Sequence, residues 1–265
     1  MLQVQNKRHL IRQHTIAYIA QLEHDERITS QIRQVGAFAK SITVKIITLE
    51  GGLQKCATAF VVSGGSSSIL LTNRHAVEKA DGRQGHIIRD HDNVTSSIHA
   101  FRTLSICTDD DLALIWSPML TIMERQLPWF NKPVCCIKPQ EPLLGFGYPG
   151  GVPSLLKANI HSIRFEDLSV SHLLHASLQN IMVRMSHHHP ILFKDILTGT
   201  SGSSMFTLDG VVIGVQFAGS LGTEWLRLVP AWRVVRFLRS CGLADPAVAG
   251  SSVWRRMVVW CCKMR

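Results

Sequence analysis

The chain has 265 residues, of which 46% are hydrophobic and 18% charged; this suits one large globular domain or two small ones and argues against disorder. Its formal net charge is +9, but residues 1–40 carry six Lys/Arg against three Asp/Glu, residues 225–265 carry eight against one, and the segment between them carries 14 against 15. Nucleic-acid binding needs a basic face on the folded body, so we expect no nucleic-acid partner.

The sequence shows no sign of export or of a membrane span. Polar residues interrupt the first 25 positions, so no secretory signal is recognisable, and there is no apolar run of the roughly 18 residues that a spanning helix needs. The seven cysteines are odd in number and include two adjacent pairs, which suits a disulfide framework poorly. We therefore expect an intracellular, cytoplasmic protein with mostly reduced thiols.

The first predicted element is a helix over residues 5–35. Apolar residues recur there at spacings of three and four, as at Ile28, Ile32 and Val35, and Gly36 provides a stop. We expect residues 1–38 to form a helical extension that packs on the body.

From Ile42 onward the apolar period changes to two, as at Val44 and Ile46, which predicts strands. Further strand-like runs lie at Ala57–Val62, Ile69–Thr72, Leu112–Trp116, Leu144–Tyr148 and Val211–Phe217. Turn residues separate them with little helical pattern between, which favours a β sandwich or barrel over alternating βαβ units.

A proline-containing segment over residues 126–133 divides this region into two β halves, about 40–125 and 140–229. A closing helix is predicted over residues 230–239, starting at a proline whose missing donor does no harm there. The remaining residues, 243–265, form a basic and apolar tail. We favour packing of this tail on the body, or a frayed end, over membrane contact.

The run Gly199-Thr200-Ser201-Gly202-Ser203 crowds small residues around one serine. A flexible linker would do so, and so would a loop that curls to aim its amides at a reacting oxygen. Two other polar residues favour the second interpretation: His75 follows a strand-like run and Asp111 precedes another. Both lie in the first β half, whereas Ser201 lies in the second, so the three can meet in a cleft between the halves.

These residue types support one another chemically. A serine hydroxyl needs an imidazole to accept its proton, and the imidazole needs a carboxylate to fix its tautomer; Ser201, His75 and Asp111 can take these roles, with Asp109 and Asp110 as alternatives for the carboxylate. The amides of Gly199 and Ser201 could then form an oxyanion hole. Each residue alone is weak evidence, because such residues are usually turn, cap or loop residues, but the combination is strong.

The sequence around these residues resembles the chymotrypsin-fold, trypsin-like serine proteases, and its motifs are closest in style to the high-temperature-requirement A (HtrA) proteases. The matching motifs are Leu71-Thr72-Asn73-Arg74-His75-Ala76-Val77, Asp111-Leu112-Ala113-Leu114-Ile115, Gly145-Phe146-Gly147-Tyr148-Pro149-Gly150, Gly199-Thr200-Ser201-Gly202-Ser203 and Asp209-Gly210-Val211-Val212-Ile213-Gly214-Val215. The resemblance implies two six-stranded β-barrels within residues 39–242, hydrolysis of a protein or peptide substrate through an acyl-enzyme, and no metal or organic cofactor.

Three features depart from the family pattern. Trypsin-type zymogens carry an aspartate immediately before the nucleophile, to pair with a new N-terminal amine, whereas this chain has Thr200. The residues after the serine are Gly202-Ser203-Ser204, where the family has Gly-Gly-Pro or Gly-Ser-Pro, which leaves this loop less rigid. Too few residues follow position 240 for a PDZ domain, so we expect the regulatory module of HtrA proteins to be absent.

The sequence indicates the substrate preference less clearly than it indicates the fold. Asp195 has the spacing at which trypsin-like enzymes place the acid of their specificity pocket, where it would select Arg or Lys, but a surface aspartate beside Lys194 is the favoured interpretation. Gln216, Phe217 and Ala218 are expected to line one pocket wall. Gln216 stands where glutamyl endopeptidases have a histidine, so a preference for Glu is disfavoured.

His187-His188-His189 invites a metal hypothesis. Adjacent side chains of an extended segment point to opposite sides, so three in a row do not easily share one tetrahedral ion. We therefore expect a polar loop and no metal. The sequence as a whole predicts a serine endopeptidase, with a catalytically silent peptide-binding module and a hydrolase of non-peptide esters as the alternatives.

Overall fold

A computed structural model describes residues 25–64, 66–80, 84–89, 97–121, 138–167, 177–185, 199–219 and 225–243. This part of the chain is mostly β, with twelve strands in two closed barrels and one helix at each end. The prediction of two six-stranded barrels with flanking helices is confirmed.

The first barrel follows helix α1, which is described over residues 25–42. Its strands are β1 (Thr43–Glu50), β2 (Leu53–Ser63), β3 (Ser68–Asn73), β4 (Gln84–Arg89), β5 (Ser97–Cys107) and β6 (Leu112–Ser117). They pair in the order β1-β2-β3-β6-β5-β4, and β4 closes the barrel by antiparallel pairing with β1.

The second barrel ends in helix α2 (Ala231–Ser240). Its strands are β7 (Pro142–Gly147), β8 (Ser154–Asp167), β9 (Ser177–Met185), β10 (Ser204–Thr207), β11 (Val212–Gly219) and β12 (Trp225–Pro230). Their order is β10-β11-β12-β9-β8-β7, closed by pairing of β10 with β7. The predicted closing helix is confirmed, although it begins at Ala231 and Pro230 is the residue that precedes its first turn.

The strands near the centre are apolar on both faces because each face meets a different core. In β6, Ala113 and Ile115 lie inside the first barrel, whereas Leu112 and Leu114 belong to a cluster shared by both barrels and both helices. A third cluster, which includes Met205 and Leu228, fills the second barrel. The shared cluster holds the barrels against each other, and the candidate site lies where they meet.

The predicted helix stop at Gly36 is wrong, since α1 continues to residue 42. Val35, Ala39 and Ile42 lie on one apolar face and are buried in the shared cluster. This packing offsets the roughly 1 kcal/mol that a glycine costs inside a helix. A side chain at Gly36 would crowd Leu155, at 3.2 Å, so the glycine also permits close approach to β8.

Several predicted segments lie outside the described residues: residues 5–24 of the predicted N-terminal helix, the connection at 126–133, the histidines at 187–189 and the tail beyond residue 243. Neither helix in the described ranges is long and apolar enough to cross a membrane. Cys56, Cys107 and Cys241, the cysteines that the structure describes, carry free thiols.

Candidate active site

His75 and Asp111 come together because β3 and β6 are antiparallel neighbours. The register pairs Asn73, the last residue of β3, with Leu112, the first residue of β6. The 3-10 turn Arg74–Ala76 therefore begins beside the turn that leads into β6. The sequence prediction that these two residues meet is supported by this pairing.

His75 is bound to the carboxylate of Asp111 at two points, once through its imidazole ring and once through its main chain. The ring Nδ1 lies 2.6 Å from Oδ2 of Asp111, and the main-chain N–H of His75 donates to Oδ1 at 3.1 Å. An ionised carboxylate can only accept, so Nδ1 carries the proton and Nε2 of a neutral ring is left as a hydrogen-bond acceptor. An imidazole held in this tautomer can accept a proton from a hydroxyl at Nε2.

The main chain at Asp111 has φ of 51°, an uncommon conformation for a residue other than glycine. Its carbonyl oxygen accepts hydrogen bonds from the main-chain N–H of Arg74 at 3.0 Å and from Nδ2 of Asn73 at 3.1 Å. These bonds fix the left-handed turn that directs the carboxylate of Asp111 to His75. The Asp111 side chain is 20% exposed and that of His75 45%.

Ser201 lies in a tight turn that enters β10. The main-chain N–H of Ser203 donates to the carbonyl of Thr200 at 3.0 Å, so residues 200–203 form a four-residue turn with Ser201 as its second residue. Gly202 is the third residue and has φ of 91°. A positive φ at this position of a turn favours glycine, which has no side chain to clash. The crowding of small residues that the sequence shows therefore serves a tight turn and not a linker.

One residue of β11, Gln216, and one residue of β2, Thr58, hold this turn. The N–H of Gly202 donates to the carbonyl of Gln216 at 2.9 Å, and the N–H of Thr58 donates to the carbonyl of Ser201 at 2.9 Å. Thr58 belongs to the first barrel, so the main chain of Ser201 is bonded directly to the barrel that carries His75. A Cβ atom at Gly202 would overlap the carbonyl oxygen of Thr58.

The Thr58 hydroxyl makes two further contacts with the second barrel. It donates to the carbonyl of Gly199 at 2.6 Å and accepts from the N–H of Tyr148 at 3.2 Å. Thr72, three positions before His75, donates in turn to the carbonyl of Thr58 at 2.7 Å. Sequence reasoning missed Thr58, since a threonine between two alanines in a strand carries no distinctive signal.

The structure places the predicted pocket residues that it describes in different environments. Gln216 is 2% exposed, and its side-chain amide donates to the hydroxyl of Thr200 at 2.5 Å. Phe217 is partly buried against the shared cluster, and the main chain of Ala218 pairs with Arg227 in the sheet. Asp195 lies outside the described residues. A pocket wall formed by these residues stays a prediction.

The three adjacent aspartates separate into different environments. Asp111 contacts His75, Asp109 has an exposed side chain, and Asp110 is buried against Arg233, with Oδ1 accepting from Nε. The sequence alternatives for the carboxylate partner of His75 are therefore resolved in favour of Asp111. Burial raises the pKa of the nearby Cys107 thiol; a hydrogen bond with the main chain of Asp110 opposes that rise, and the negative charge of Asp110 adds to it.

A cavity of about 460 Å³ lies between β5 and α2, behind the aspartate turn. Cys107, Asp109, Phe237 and Cys241 are among the residues that line it, and His75, Asp111 and Ser201 are not. The cavity is therefore separate from the surface where His75 is exposed.

No known family profile matches the chain, and no curated protein matches it in sequence. Solved structures do match its fold. The Rv3671c protease from M. tuberculosis, in its active form, superposes with a TM-score of 0.62 at 21% identity, over 83% of this chain and 88% of that one. Deg5 superposes with a TM-score of 0.59 at 16% identity, over 84% of this chain and 98% of that one.

The HtrA-type protease AlgW, solved with a tripeptide, superposes with a TM-score of 0.58 at 18% identity. The match covers 82% of this chain but 65% of AlgW, so this chain spans slightly less than two thirds of that protein. Together the matches show that the two barrels have the chymotrypsin-type fold of trypsin-like and HtrA-type serine proteases.

Proposed function

We propose that this chain is a serine endopeptidase in which Ser201 is the nucleophile, His75 the general base and Asp111 the residue that orients His75. The observation that carries the proposal is the two-point contact between His75 and Asp111, with Nδ1 2.6 Å from Oδ2. This contact presents Nε2 of His75 as a proton acceptor. The bond between Thr58 and Ser201 ties the nucleophile loop to the same barrel.

In the proposed reaction the Ser201 hydroxyl oxygen attacks the carbonyl carbon of the scissile peptide bond and gives its proton to Nε2 of His75. The tetrahedral intermediate collapses when the C–N bond breaks and His75 returns the proton to the departing amine. A water molecule then attacks the ester carbonyl of the acyl-enzyme, again with His75 as base, and releases the acid and free Ser201.

The proposed oxyanion hole consists of the main-chain N–H groups of Gly199 and Ser201. Within the described ranges neither group donates to a main-chain carbonyl, which supports their availability for a substrate oxygen. Gly199 has φ of 98°, and a Cβ atom there would overlap the carbonyl oxygen of Tyr148. Glycine therefore permits the close loop packing that would aim both amides at one point. Loss of one such donor typically costs about 3–4 kcal/mol of transition-state stabilisation.

The substrate class is a peptide or protein, by analogy with the solved neighbours, one of which holds a tripeptide. Asp195 has the spacing of the acid in a pocket that selects basic side chains. A preference for Arg or Lys is therefore one specific possibility within this substrate class. If Asp195 lines the pocket, a peptide library will be cut after Arg or Lys and Asp195→Ala will abolish that preference. An Arg or Lys preference that survives Asp195→Ala would remove Asp195 from the pocket.

A fluorophosphonate probe at neutral pH tests the proposed nucleophile. We expect the folded wild-type protein to be labelled, and Ser201→Ala to abolish labelling because the probe forms its bond with the activated hydroxyl. Ser203→Ala is the matched control, since the Ser203 side chain lies in the same loop but is fully buried. Its labelling should stay close to that of the wild type.

Folded wild-type protein that resists the probe would contradict the proposed enzyme and favour a silent peptide-binding module. Labelling without cleavage of any library peptide, but with turnover of simple esters, would favour an ester hydrolase. Circular dichroism of each variant confirms that it is folded before its labelling is compared.

A further inference from the structure

Asp110 and Asp111 are neighbours in the chain but bond to different parts of the molecule. Asp111 contacts His75, whereas Asp110 is 2% exposed and bonds to side chains of helix α2. Trypsin-type catalysis as proposed above uses Asp111 and has no role for Asp110. A buried carboxylate directly before the residue that orients the proposed base therefore needs a separate explanation.

The partner of Asp110 is Arg233, which is itself 2% exposed. Nε of Arg233 donates to Oδ1 of Asp110 at 2.5 Å, its Nη2 contacts the same oxygen, and Nη2 also donates to the main-chain carbonyl of Asp109 at 3.0 Å. Arg236, three residues along the same helix, donates from Nη2 to Oδ2 of Asp110 at 3.2 Å. We call Asp110, Arg233 and Arg236 the aspartate clamp.

The clamp acts on a turn whose main chain is strained. Asp111 has φ of 51°, and a residue other than glycine keeps such a conformation only where its surroundings hold it. Arg74 and Asn73 hold the carbonyl of Asp111 from the His75 side. The clamp holds the two preceding residues, Asp109 and Asp110, through bonds from helix α2, so different elements hold successive residues of the turn.

Helix α2 also connects the clamp to the second barrel. It directly follows β12, in which Val229 pairs with Val215 of β11, and Gln216, the next residue of β11, bonds to the loop of Ser201. The chain that supports the proposed nucleophile therefore continues into the helix that holds the aspartate turn. A buried ion pair is weak evidence for stability, because desolvation offsets its attraction, but its bonds are directional.

We propose that Arg233 and Asp110 are positioning residues, which set the direction of the Asp111 carboxylate toward His75 and link it to the barrel of Ser201. The catalytic consequence rests on the function proposed above. The geometric part, that the clamp maintains the contact between His75 and Asp111, stands independently of it. Arg236 closes the exposed side of the clamp, with a side chain that is 61% exposed.

The test replaces the ion pair by apolar residues of similar size in the double variant Asp110→Leu/Arg233→Met. Such replacements of buried ion pairs often leave a protein folded, so loss of function can be separated from unfolding. Arg233→Lys is the second variant, because lysine keeps the charge but lacks the planar fork that makes several bonds at once. Arg239→Met, an exposed arginine of the same helix, is the control.

Two readouts are measured on the full-length chain. One is the rate of fluorophosphonate labelling of Ser201, which we expect to fall by about tenfold or more in the double variant, a loss of roughly 1.4 kcal/mol, and by less in Arg233→Lys. The other is the proton NMR signal of the hydrogen-bonded Nδ1–H of His75, assigned by its loss in His75→Ala. We expect this signal to be lost or shifted in both variants and unchanged in Arg239→Met.

Folded variants that keep both the wild-type labelling rate and the His75 signal would overturn the proposal. An equal loss in Arg239→Met would also overturn it, since the effect would then come from charge on the helix in general. Wild-type protein that shows the His75 signal but no labelling would contradict the proposed enzyme alone, and the signal would still decide whether the clamp positions Asp111.

Discussion

The hydroxyl of Thr58 donates a hydrogen bond of 2.6 Å to the carbonyl oxygen of Gly199. Thr58 belongs to a strand of the first barrel, whereas Gly199 leads into the second, so one buried side chain joins the two barrels beside the proposed nucleophile. The same hydroxyl accepts from the N–H of Tyr148. Thr58 thus satisfies polar groups of two different loops of the second barrel.

We expect Thr58→Val to lower the rate of probe labelling at Ser201 by roughly tenfold. Valine keeps the shape but leaves the carbonyl of Gly199 without this donor, which costs about 1–3 kcal/mol of stability. Thr43→Val is the matched control, because Thr43 is equally buried and its hydroxyl donates to the carbonyl of Ala39, at the end of α1. Equal loss of labelling in both variants would refute a specific role for Thr58.

Asp111→Asn should reduce turnover of a cleavable peptide by about four orders of magnitude. An asparagine can donate from its amide to Nδ1 of His75, which places the ring proton on Nε2 and removes the proton acceptor. The measurement is kcat under substrate saturation. Asp109→Asn serves as the control, since its side chain is exposed, and it should retain most activity. A near-normal rate for Asp111→Asn would remove Asp111 from the proposed mechanism.

Much of the fold was predictable from periodicity. The strand runs around Ala59 and Leu114 are apolar at consecutive positions because the two faces of these strands meet different cores, and such runs are recognisable in sequence. Strands β4, β5, β8, β9, β10 and β12 were not predicted individually. In β5 most described residues are exposed or half-buried, so the chain there lacks the apolar alternation on which strand prediction depends.

The proposed catalytic residues were more predictable from the sequence than the residues that hold them in place. His75, Asp111 and Ser201 stand in distinctive local motifs, whereas the residues that hold them do not. Thr58 and Arg233 act through contacts with residues more than a hundred positions away, at Gly199 and Asp110. No local pattern indicates which distant carbonyl or carboxylate such a side chain will meet, so these contacts require the structure.

Gly202→Ala should destabilise the protein much more than Gly210→Ala. Both glycines have positive φ, 91° and 79°, so alanine introduces similar backbone strain of about 1–2 kcal/mol at each. At Gly202 the added methyl group would also overlap the carbonyl oxygen of Thr58, whereas at Gly210 nothing lies within 4 Å. Urea unfolding measures both free energies, and equal losses would show that contact with Thr58 is unimportant.

Labelling of Ser201 should not depend on a free amine at the start of the chain. In trypsin-type zymogens an aspartate before the nucleophile pairs with a new amine, but here Thr200 accepts from the buried amide of Gln216. We expect an N-terminal fusion to be labelled at the wild-type rate, and Gln216→Leu to be labelled more slowly. Gln54→Leu, at an exposed position of β2, is the control. Activation of the fusion only after proteolytic trimming would contradict this prediction.

Cys107 should react slowly with iodoacetamide in the folded protein. Burial raises the pKa of its thiol above the ordinary value of 9.0, and the thiolate is the reactive form, so at any pH below that value a smaller fraction of the thiol is reactive in the folded than in the unfolded chain. Ionisation is easier in the unfolded chain, so the thiol's contribution to stability is complete below about pH 9 and declines at higher pH. Mass spectrometry of the Cys107 peptide measures the rate, with urea-unfolded protein as the reference. Equal rates in the folded and unfolded chain at pH 8 would contradict both the burial and the raised pKa.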